Sequence, residues 1–516
     1  MRRQDIQLLA LARQGDAAAR SEAGRRYLIG GDGFPRHVAT GIEYLSHPTV
    51  RERPETARII AESLPLQDIL QLKQEDALRK AAIAGSLLAQ LKLGVWLSLQ
   101  HSRISAGEQW LEAAATGGQV EARQAMAAMR QAHAADALPV LLRALSASVA
   151  VDVAAVSVMA ARQAREAGQL DLLADCLHIA LALVPRLTIE LADLVSAAVQ
   201  MAESSERDLR GIAPDSVEAA LEMGVARGDR DAAFTLGRAM CGIDCGSLSP
   251  ARLTSTANMR KGVALLLRAA DAGREDAWLH LYAMHADHRL SVANPQMARF
   301  FLEKAATLGQ AEAQRKLGAL ILRSASSLAE SEQAIHWLHA AAKQDDAHAM
   351  RLLRSLVLPL SGDDSAAASA IEQVRQSDPW LAMRLELARY FGLTKLEALS
   401  VDPVEGRRPW GLLVGKNPFI TQARLSAPRA VPAVTPEALE GLHRAAVFFE
   451  HSRRDNNAFE GDLRRRSVRQ RRAFERLGLD EEMFFSNASS TKLESFRLGP
   501  KWAFRAKQPL EMALAA

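Results

Sequence analysis

A repeated pattern of small residues constrains this chain more than any other feature of its sequence. Between residues 262 and 354 three segments align without gaps, and their anchor positions, Gly273, Gly309 and Asp345, are 36 residues apart. A leucine stands seven residues before each anchor, an alanine pair three and four residues before it, and an alanine four residues after it. A period of this length indicates repeated helical hairpins, which bury their apolar faces only by stacking on one another.

The same frame recurs at glycines outside this stretch, and each of its positions has a physical reason. The further anchors are Gly15, Gly85, Gly118 and Gly228. A small anchor lets one helix end in a left-handed cap before the next begins. A large apolar residue eight positions before the anchor is expected to fill the gap between neighbouring hairpins. The repeat-packing residues predicted in this way are Gly85, Gly118, Gly273, Gly309, Trp110, Phe301 and Trp337.

This pattern resembles the Sel-1-like repeat of the bacterial type, a branch of the tetratricopeptide superfamily, over residues 10–50, 80–130 and 220–355. The resemblance implies an all-α fold, a right-handed α-solenoid of antiparallel helix hairpins with a non-repeat, mostly helical C-terminal extension. It also implies a non-enzymatic scaffold or adaptor that binds partner proteins on the concave surface of the superhelix. Partners differ from one member of the family to another, so the resemblance names none.

Composition agrees with a helical chain in a reducing compartment. Hydrophobic residues make up 48% of the sequence but aromatic residues only 5%, and the net charge of +4 is too small to indicate nucleic-acid binding by the whole molecule. Three cysteines do not make a disulfide scaffold. No segment has the roughly 20 apolar residues that span a bilayer, and the N-terminal apolar stretch is too short for a signal peptide. We therefore expect a cytoplasmic protein.

The repeat divides the chain into five predicted segments. Residues 131–220 are helical in composition but lack a recognisable anchor with its flanking alanines. We interpret them as degenerate repeats, and a separate inserted helical domain is the alternative. The predicted segments are N-terminal repeats (1–130), degenerate helical repeats (131–220), C-terminal repeats (221–400), a proline-rich connection (401–436) and a basic, aromatic C-terminal helical module (437–516). The connection is expected to be extended, with one short strand at residues 410–415.

A stripe of arginines follows one face of a predicted helix in the C-terminal module. Its members, spaced i, i+4, i+7 and i+11, are Arg465, Arg469, Arg472 and Arg476. We favour a solvated face whose arginines pair with the acidic residues between 475 and 482. The alternative is a regulatory protein in which the stripe contacts an acidic protein or a nucleic-acid phosphate backbone.

Aromatic residues interleaved with basic ones mark the final segment of the chain. They are Phe484, Phe485, Phe496, Trp502 and Phe504. Such residues can stack on bases or grip a peptide. We favour a structural interpretation, in which they cover the end of the solenoid.

No residue pattern predicts catalysis, a cofactor or a metal site. The Cys241/Cys245 pair has no further ligand at suitable spacing, and His285 and His288 could share a metal with Asp287 only by distorting the turn. Phosphate-binding glycine loops and nucleophile elbows are missing from the sequence. An enzyme hidden in residues 400–516 is the third and least favoured alternative, because no acid, base and nucleophile set is visible there.

Overall fold

The chain forms two compact units, residues 1–274 and residues 275–516. Both are built mainly of helices. The computed structural model describes residues 3–31, 33–101, 104–132, 137–184, 186–209, 211–418, 420, 425–454, 460–489, 492–493, 496 and 500–515. Helices predominate throughout these residues, and consecutive helices pack against each other as hairpins. The all-α fold of stacked hairpins with a mostly helical C-terminal extension is therefore confirmed.

In the described part of the first unit, the regular elements are helices. They are α1 (Arg3–Gln14), α2 (Ala17–Ile29), α3 (Val38–Leu45), α4 (Pro54–Ser63), α5 (Leu66–Gln71), α6 (Glu75–Ile83), α7 (Leu87–Gln100), α8 (Ile104–Thr116), α9 (Val120–Arg130), α10 (Ala137–Ala144), α11 (Val153–Glu166), α12 (Leu170–Leu183), α13 (Ile189–Ser205), α14 (Pro214–Ala226), α15 (Arg230–Met240), α16 (Pro250–Leu253) and α17 (Met259–Asp271).

The second unit adds a small sheet to its helices. Its helices are α18 (Asp276–Ala286), α19 (Pro295–Thr307), α20 (Ala311–Ser324), α21 (Leu328–Ala342), α22 (Ala347–Arg354), α23 (Asp364–Ser377), α24 (Pro379–Phe391), α25 (Lys395–Ser400), α26 (Pro403–Gly406), α27 (Pro436–Arg454), α28 (Leu463–Leu477), α29 (Pro500–Arg505) and α30 (Lys507–Ala515). Its strands are β1 (Arg407–Arg408), β2 (Gly411–Val414) and β3 (Arg429–Pro432), and a 3₁₀ turn covers Glu481–Met483.

The anchor residues end helices in the left-handed conformation that the repeat frame predicts. Their φ angles are +104° at Gly15, +86° at Gly85, +109° at Gly118, +89° at Gly228, +90° at Gly273, +91° at Gly309 and +62° at Asp345. The amide after the anchor donates to the carbonyl oxygen of the residue four before the anchor, as from Gln119 to Ala114 (2.9 Å). The acceptor is an alanine except at Gly15 and Gly228. This hydrogen bond closes the helix end and reverses the chain.

Glycines nine residues after the anchor bring neighbouring helices almost into backbone contact. A Cβ built on Gly94 of α7 would lie 2.7 Å from Cγ of Leu111, which is the leucine seven residues before the next anchor. A Cβ on Gly107 of α8 would lie only 1.9 Å from the carbonyl oxygen of Gly94. Gly318 meets Leu338 in the same way, at 2.7 Å. Because glycine has no side chain, it allows the two helices of each pair to approach this closely.

Residues 131–220 contain an anchor that the sequence pattern did not reveal. Gly168 has a φ of +68° and separates α11 from α12, and Gln169 donates its amide to the carbonyl of Ala164 (2.9 Å). The prediction that this stretch lacks an anchor was wrong. Gly168 was overlooked because Arg165 and Leu172 replace the alanines three residues before and four residues after it. It follows Gly118 by 50 residues, which breaks the period of 36.

The segment predicted as an extended connection contains a small antiparallel sheet with strand order β1-β2-β3. Leu412 pairs with Val431, and all four residues of both β2 and β3 are buried. The strand expected at residues 410–415 is β2. Proline does not disrupt the ladder because Pro409 and Pro428 lie just outside the strands and Pro432 ends β3.

Buried charges hold this sheet and the C-terminal helices together. Arg429 of β3 bonds Glu397 of α25 through two hydrogen bonds of 2.7 and 2.9 Å. Burial alone would raise the pKa of Glu397, but Arg429 and the hydrogen bonds from Thr394 together outweigh burial and hold that pKa below its ordinary value. Arg384 of α24 pairs with Glu460 just before α28, and both side chains are almost fully buried. These pairs fasten α24, α25, β3 and the start of α28 to one core.

The chemistry of the anchor gives a first testable prediction. Gly309→Val is expected to lower the free energy of unfolding by about 1–2 kcal/mol, because a β-branched residue is strained at φ +91°. Gly309→Asn is the matched control and should cost less, since short polar side chains tolerate this conformation, as Asp345 does at the corresponding anchor. Urea unfolding followed by circular dichroism measures both. Equal losses of unfolding free energy in the two variants would show that the left-handed backbone does not restrict which residue can occupy the anchor.

Candidate protein-interaction surface

Helices that follow an anchor lie deeper in the fold than helices that precede one. Eight of the 14 residues of α20 are buried, against five of 13 in α19. In the first unit, eight of the 11 residues of α15 are buried, against five of 13 in α17. We therefore call the helices after the anchors the inner helices of the hairpins.

In the second unit a helix from outside the repeats lies on two successive inner helices. The C-terminal helix α30 packs against α20 and α22, which belong to the repeats anchored at Gly309 and Asp345. It also contacts α29, the short helix that precedes it. The chain thus presents a helical ligand to its own inner surface.

The ligand helix faces the repeats with one apolar stripe. Trp502 lies on α29, Ala506 at the junction of α29 and α30, and Leu510 and Ala513 on α30, at spacings of four, four and three residues. The amides of Ala506 and Leu510 donate to the carbonyl oxygens of Trp502 and Ala506, so the stripe continues across the junction. All four are buried, with at most 5% of any one exposed. Lys507 and Glu511 lie on the opposite, exposed side. Two of the four stripe residues are alanines, so the helix approaches α20 and α22 closely.

A buried arginine recognises the last turn of this helix. Nε of Arg315, on α20, donates to the carbonyl oxygen of Ala513 (2.9 Å), and Nη1 donates to Asp346 Oδ2 (2.8 Å). Asp346 in turn accepts the amide of Ala349 (2.8 Å) and caps α22. A cation at a helix C-terminus is favoured by the helix dipole and by the free carbonyl groups there. Arg315 is only 5% exposed, so this contact is shielded from water.

The residue six positions after the anchor faces the bound helix in two consecutive repeats. Arg315 stands six residues after Gly309, and Arg351 stands six residues after Asp345. Arg351 Nη1 lies 3.4 Å from Sδ of Met512 on α30. We call this the plus-six position. It is not one of the packing positions of the repeat frame, and in these two repeats it points to the ligand.

A second arginine secures the approach to α30. Arg505, at the end of α29, donates to the carbonyl oxygen of Ser355, just after α22. Its guanidinium carbon also lies 3.8 Å from the ring centroid of Phe496, a cation–π contact. Burial lowers the pKa of Arg505.

The predicted arginine stripe lies on α28, and its members have different surroundings. Arg469 donates to the carbonyl oxygen of Glu460 (2.6 Å), and its Nε lies 3.7 Å from Asp378. Arg476 donates to the hydroxyl of Ser377 (2.7 Å). Arg465 and Arg472 are exposed and form no ion pair within the part of the chain that the structure describes. The acidic residues at 475–482 therefore do not neutralise these two arginines.

The C-terminal aromatic residues are mostly buried, and they divide between two places. Phe484 and Phe485 belong to the core formed by α23–α25, the sheet and α27–α28, where both contact Phe474. Trp502 lies on α29, at the start of the buried stripe that continues into α30. Phe504 is 85% exposed.

The repeat-packing residues predicted from the sequence differ in burial. Phe301 and Leu265 are buried, whereas Trp110 and Trp337 are partly exposed. Phe301 contacts Trp278 and His285, with ring centroids 5.9 and 5.0 Å apart. It thus links α19 to α18.

The cysteines and histidines considered as metal ligands lie in ordinary packing environments. Cys241 and Cys245 are buried, and burial raises their pKa values to about 11 and about 12. Their thiols therefore stay protonated at neutral pH, whereas metal ligation requires the thiolate. His285 is buried and its Nδ1 lies 2.9 Å from the carbonyl oxygen of Leu281. Within the described residues, no three His, Cys, Asp or Glu side chains are grouped as metal ligands would be.

Hydropathy adds one finding about membranes. Among the residues that the structure covers, no helix combines the length and the apolar content needed to cross a bilayer.

The packing of α30 on the repeats was not predicted, although two features of the sequence indicate it. The stripe Trp502, Ala506, Leu510 and Ala513 has helical spacing, and arginine occupies the plus-six position in both repeats that hold it. Neither signal shows by itself that the two surfaces meet, because almost 200 residues separate Arg315 from Ala513 in the sequence.

Comparison with solved structures finds two proteins of the Sel1-repeat kind. One is a protective antigen present in uropathogenic Escherichia coli strains and described as displaying an SLR fold; it is 14% identical, covers 96% of this chain and 98% of its own, and has a TM-score of 0.30. The other, a Sel1 repeat protein from Oxalobacter formigenes, is 20% identical, covers 68% of this chain and 89% of its own, and has a TM-score of 0.26. Both names agree with the resemblance of the repeat. No family model and no curated protein matches the chain.

Proposed function

We propose that this protein is a non-enzymatic scaffold that binds other proteins on the inner helices of its repeats. One observation carries the proposal: α30, a helix that belongs to no repeat, is seated on the inner helices α20 and α22. A surface that holds one helix by an apolar stripe and a capping arginine has the chemistry to hold another. No cofactor is part of the proposal. The three unpaired cysteines favour the cytoplasm as its compartment.

Selectivity in this proposal comes from the plus-six position. The packing positions keep similar residue types from repeat to repeat, whereas the plus-six residue is Ser21, Leu91, Gln124, Phe234, Leu279, Arg315 or Arg351. Leu91 and Phe234 are buried in the core, so selectivity rests on the other members of this set. Side chains that vary on a constant frame can read different stretches of a partner. The partner is a protein, in the form of a helix or an extended peptide laid along successive hairpins.

Site-specific photo-crosslinking tests the scaffold proposal in the first unit. A photoreactive amino acid replaces Gln124, an exposed plus-six residue on α9, in cells that naturally make the protein. The matched control carries it at Gln109, an exposed residue on α8 of the same hairpin. We expect the probe at 124 to capture a defined protein that the probe at 109 does not. Equal labelling from both positions, or none from position 124, would contradict the proposal.

The arginine stripe supports a second candidate function, contact with nucleic acid or with an acidic protein. Two of its members, Arg465 and Arg472, are exposed on α28 and form no ion pair among the described residues. Binding of a single-stranded oligonucleotide, measured from 50 to 200 mM salt, tests the nucleic-acid form of this proposal. Phosphate contacts predict an affinity that falls steeply with salt and is lost in the double variant Arg465→Glu, Arg472→Glu. No binding, or salt-independent binding, excludes it.

A further inference from the structure

The contact between α30 and the repeats is incomplete in its hydrogen bonding. Nη2 of Arg315 and Nε1 of Trp502 are both buried, and neither has a hydrogen-bond partner within the described part of the chain. Buried donors without acceptors weaken an interface, because they lose their hydrogen bonds to water without replacement. The tail helix α30 therefore covers the inner surface but leaves a hydrogen-bond donor of Arg315 on that surface without an acceptor.

We propose that the inner face of α20 and α22 is the binding site for an amphipathic helix of a partner protein, and that α30 occupies this site as an intramolecular substitute. This inference rests on the scaffold function proposed above and specifies the ligand for one pair of repeats. The partner helix carries small and medium apolar residues on the face that meets the repeats, as α30 does with Leu510 and Ala513. Its last turn ends in a carboxylate, whereas the described part of α30 offers Arg315 only the carbonyl oxygen of Ala513.

The carboxylate follows from the geometry of Arg315. The guanidinium already uses Nη1 for Asp346 and Nε for one carbonyl oxygen of Ala513. A carboxylate in place of that carbonyl has two oxygens and can accept from both Nε and Nη2 in the bidentate arrangement that arginine favours. It also brings a negative charge to a buried cation that has only one acidic partner in the described residues. The site thus favours a helix that ends in a carboxylate over the chain's own tail.

Covalent attachment explains how an imperfect ligand keeps the site occupied. A helix on the same chain acts at an effective concentration that reaches the millimolar range for short flexible connections. A helix of another molecule must bind tightly enough to compete with this effective concentration of the tail. Ligands of ordinary affinity are therefore excluded while the tail occupies the site. The tail therefore raises the affinity that a partner needs.

Peptide binding to the full-length chain tests this inference. The ligand is a fluorescent peptide with the sequence of residues 500–513, made once with a free C-terminal carboxylate and once as the amide. The receptor is the full-length double variant Ala506→Lys, Leu510→Lys, whose tail cannot bury its stripe and brings no carboxylate to Arg315. We expect this release variant to bind the acid peptide at least tenfold more tightly than the wild-type chain does. We also expect at least tenfold tighter binding of the acid than of the amide.

Two further variants assign the binding to the proposed site. In the release variant, Arg315→Ala is expected to abolish the preference for the acid peptide. Arg323→Ala, at an exposed position on the same helix, is the matched control and should leave it unchanged. A release variant that keeps the wild-type thermal unfolding temperature but binds the peptide no better than wild type would overturn the inference. So would equal affinity for acid and amide.

Hydrogen exchange gives a second measurement on the unmutated chain. In a ¹⁵N-labelled wild-type chain, a saturating amount of the unlabelled acid peptide should increase amide exchange in residues 507–515, because the tail is displaced. Unchanged exchange at saturation would overturn the proposal even if the release variant failed to fold. The scaffold function is tested separately by crosslinking at Gln124 in the first unit. Either proposal, the scaffold function or the partner-helix site, can therefore be refuted without the other.

Discussion

Glu460→Ala is expected to lower the free energy of unfolding by about 3–5 kcal/mol, because it leaves buried cations without their counter-charge. The carboxylate of Glu460 accepts hydrogen bonds from Nε and Nη2 of Arg384, the latter at 2.8 Å, and Nε of Arg466 lies 3.1 Å from it. Removing it leaves two guanidinium groups in the interior without their shared counter-charge.

The surroundings of Arg384 explain why this loss cannot be relieved by movement. Arg384 is 2% exposed and also donates to the carbonyl oxygens of Ala398 (2.8 Å) and Val401 (2.9 Å). Its guanidinium lies 4.9 Å from the ring centroid of Phe449. The cation is therefore held in place from several sides and cannot reach water when Glu460 is removed.

An exposed ion pair in the same unit supplies the control. Glu303 and Arg299 form an i,i+4 pair on α19 at 2.9 Å, with 47% and 64% of their side chains exposed. Glu303→Ala should cost about 0.5 kcal/mol or less, because water screens the pair. Urea unfolding at pH 7, followed by circular dichroism at 222 nm, compares the two variants. A loss for Glu460→Ala no larger than that for Glu303→Ala would refute the prediction.

Phe301→Ala should lower the free energy of unfolding by about 3–5 kcal/mol, as expected when a large buried ring is removed and leaves a cavity. Phe301 is 2% exposed, and its ring contacts Trp278 and His285 of the neighbouring helix. The cavity would open between α18 and α19, where the repeat depends on a bulky residue to join the two helices.

The adjacent residue is a control of identical chemistry. Phe300 is 45% exposed, and its ring lies 5.5 Å from Nζ of Lys304 on the surface of α19. Phe300→Ala should cost less than about 1 kcal/mol, since little apolar area returns to water. Thermal unfolding of the two variants side by side measures the difference. Similar losses would mean that helix propensity, and not burial, accounts for the effect.

The sequence predicted the hairpins well because their determinants are local. Each anchor, with its alanine pair and its leucine, lies within about a dozen residues, and the left-handed backbone at Gly309 or Gly118 depends only on neighbouring turns. Gly168 was missed for the same reason: the identities around it differ, although the backbone does not. A sequence pattern therefore finds an anchor only where the alanines that usually flank it are present, even when the left-handed backbone conformation is the same.

The tail interaction and the small sheet were not predictable in this way because they join distant segments. Leu412 pairs with Val431 across a loop, and Arg315 meets Ala513 from almost 200 residues away. The arginine stripe was placed correctly on a helix, but its surroundings depend on Asp378 and Ser377, which come from another helix hairpin. Local periodicity fixes which face of a helix is apolar, but not what covers that face.

The helix crossing at Gly94 and Gly107 has a practical consequence for redesign. No side chain fits at that crossing, so substitutions there disturb the joint between two helices. The plus-six residue lies only three positions from the crossing glycine, almost one helical turn away. It is buried at Leu91 and Phe234 but exposed at Gln124. Ligand preference could thus be altered at Gln124 without touching a side chain of the core.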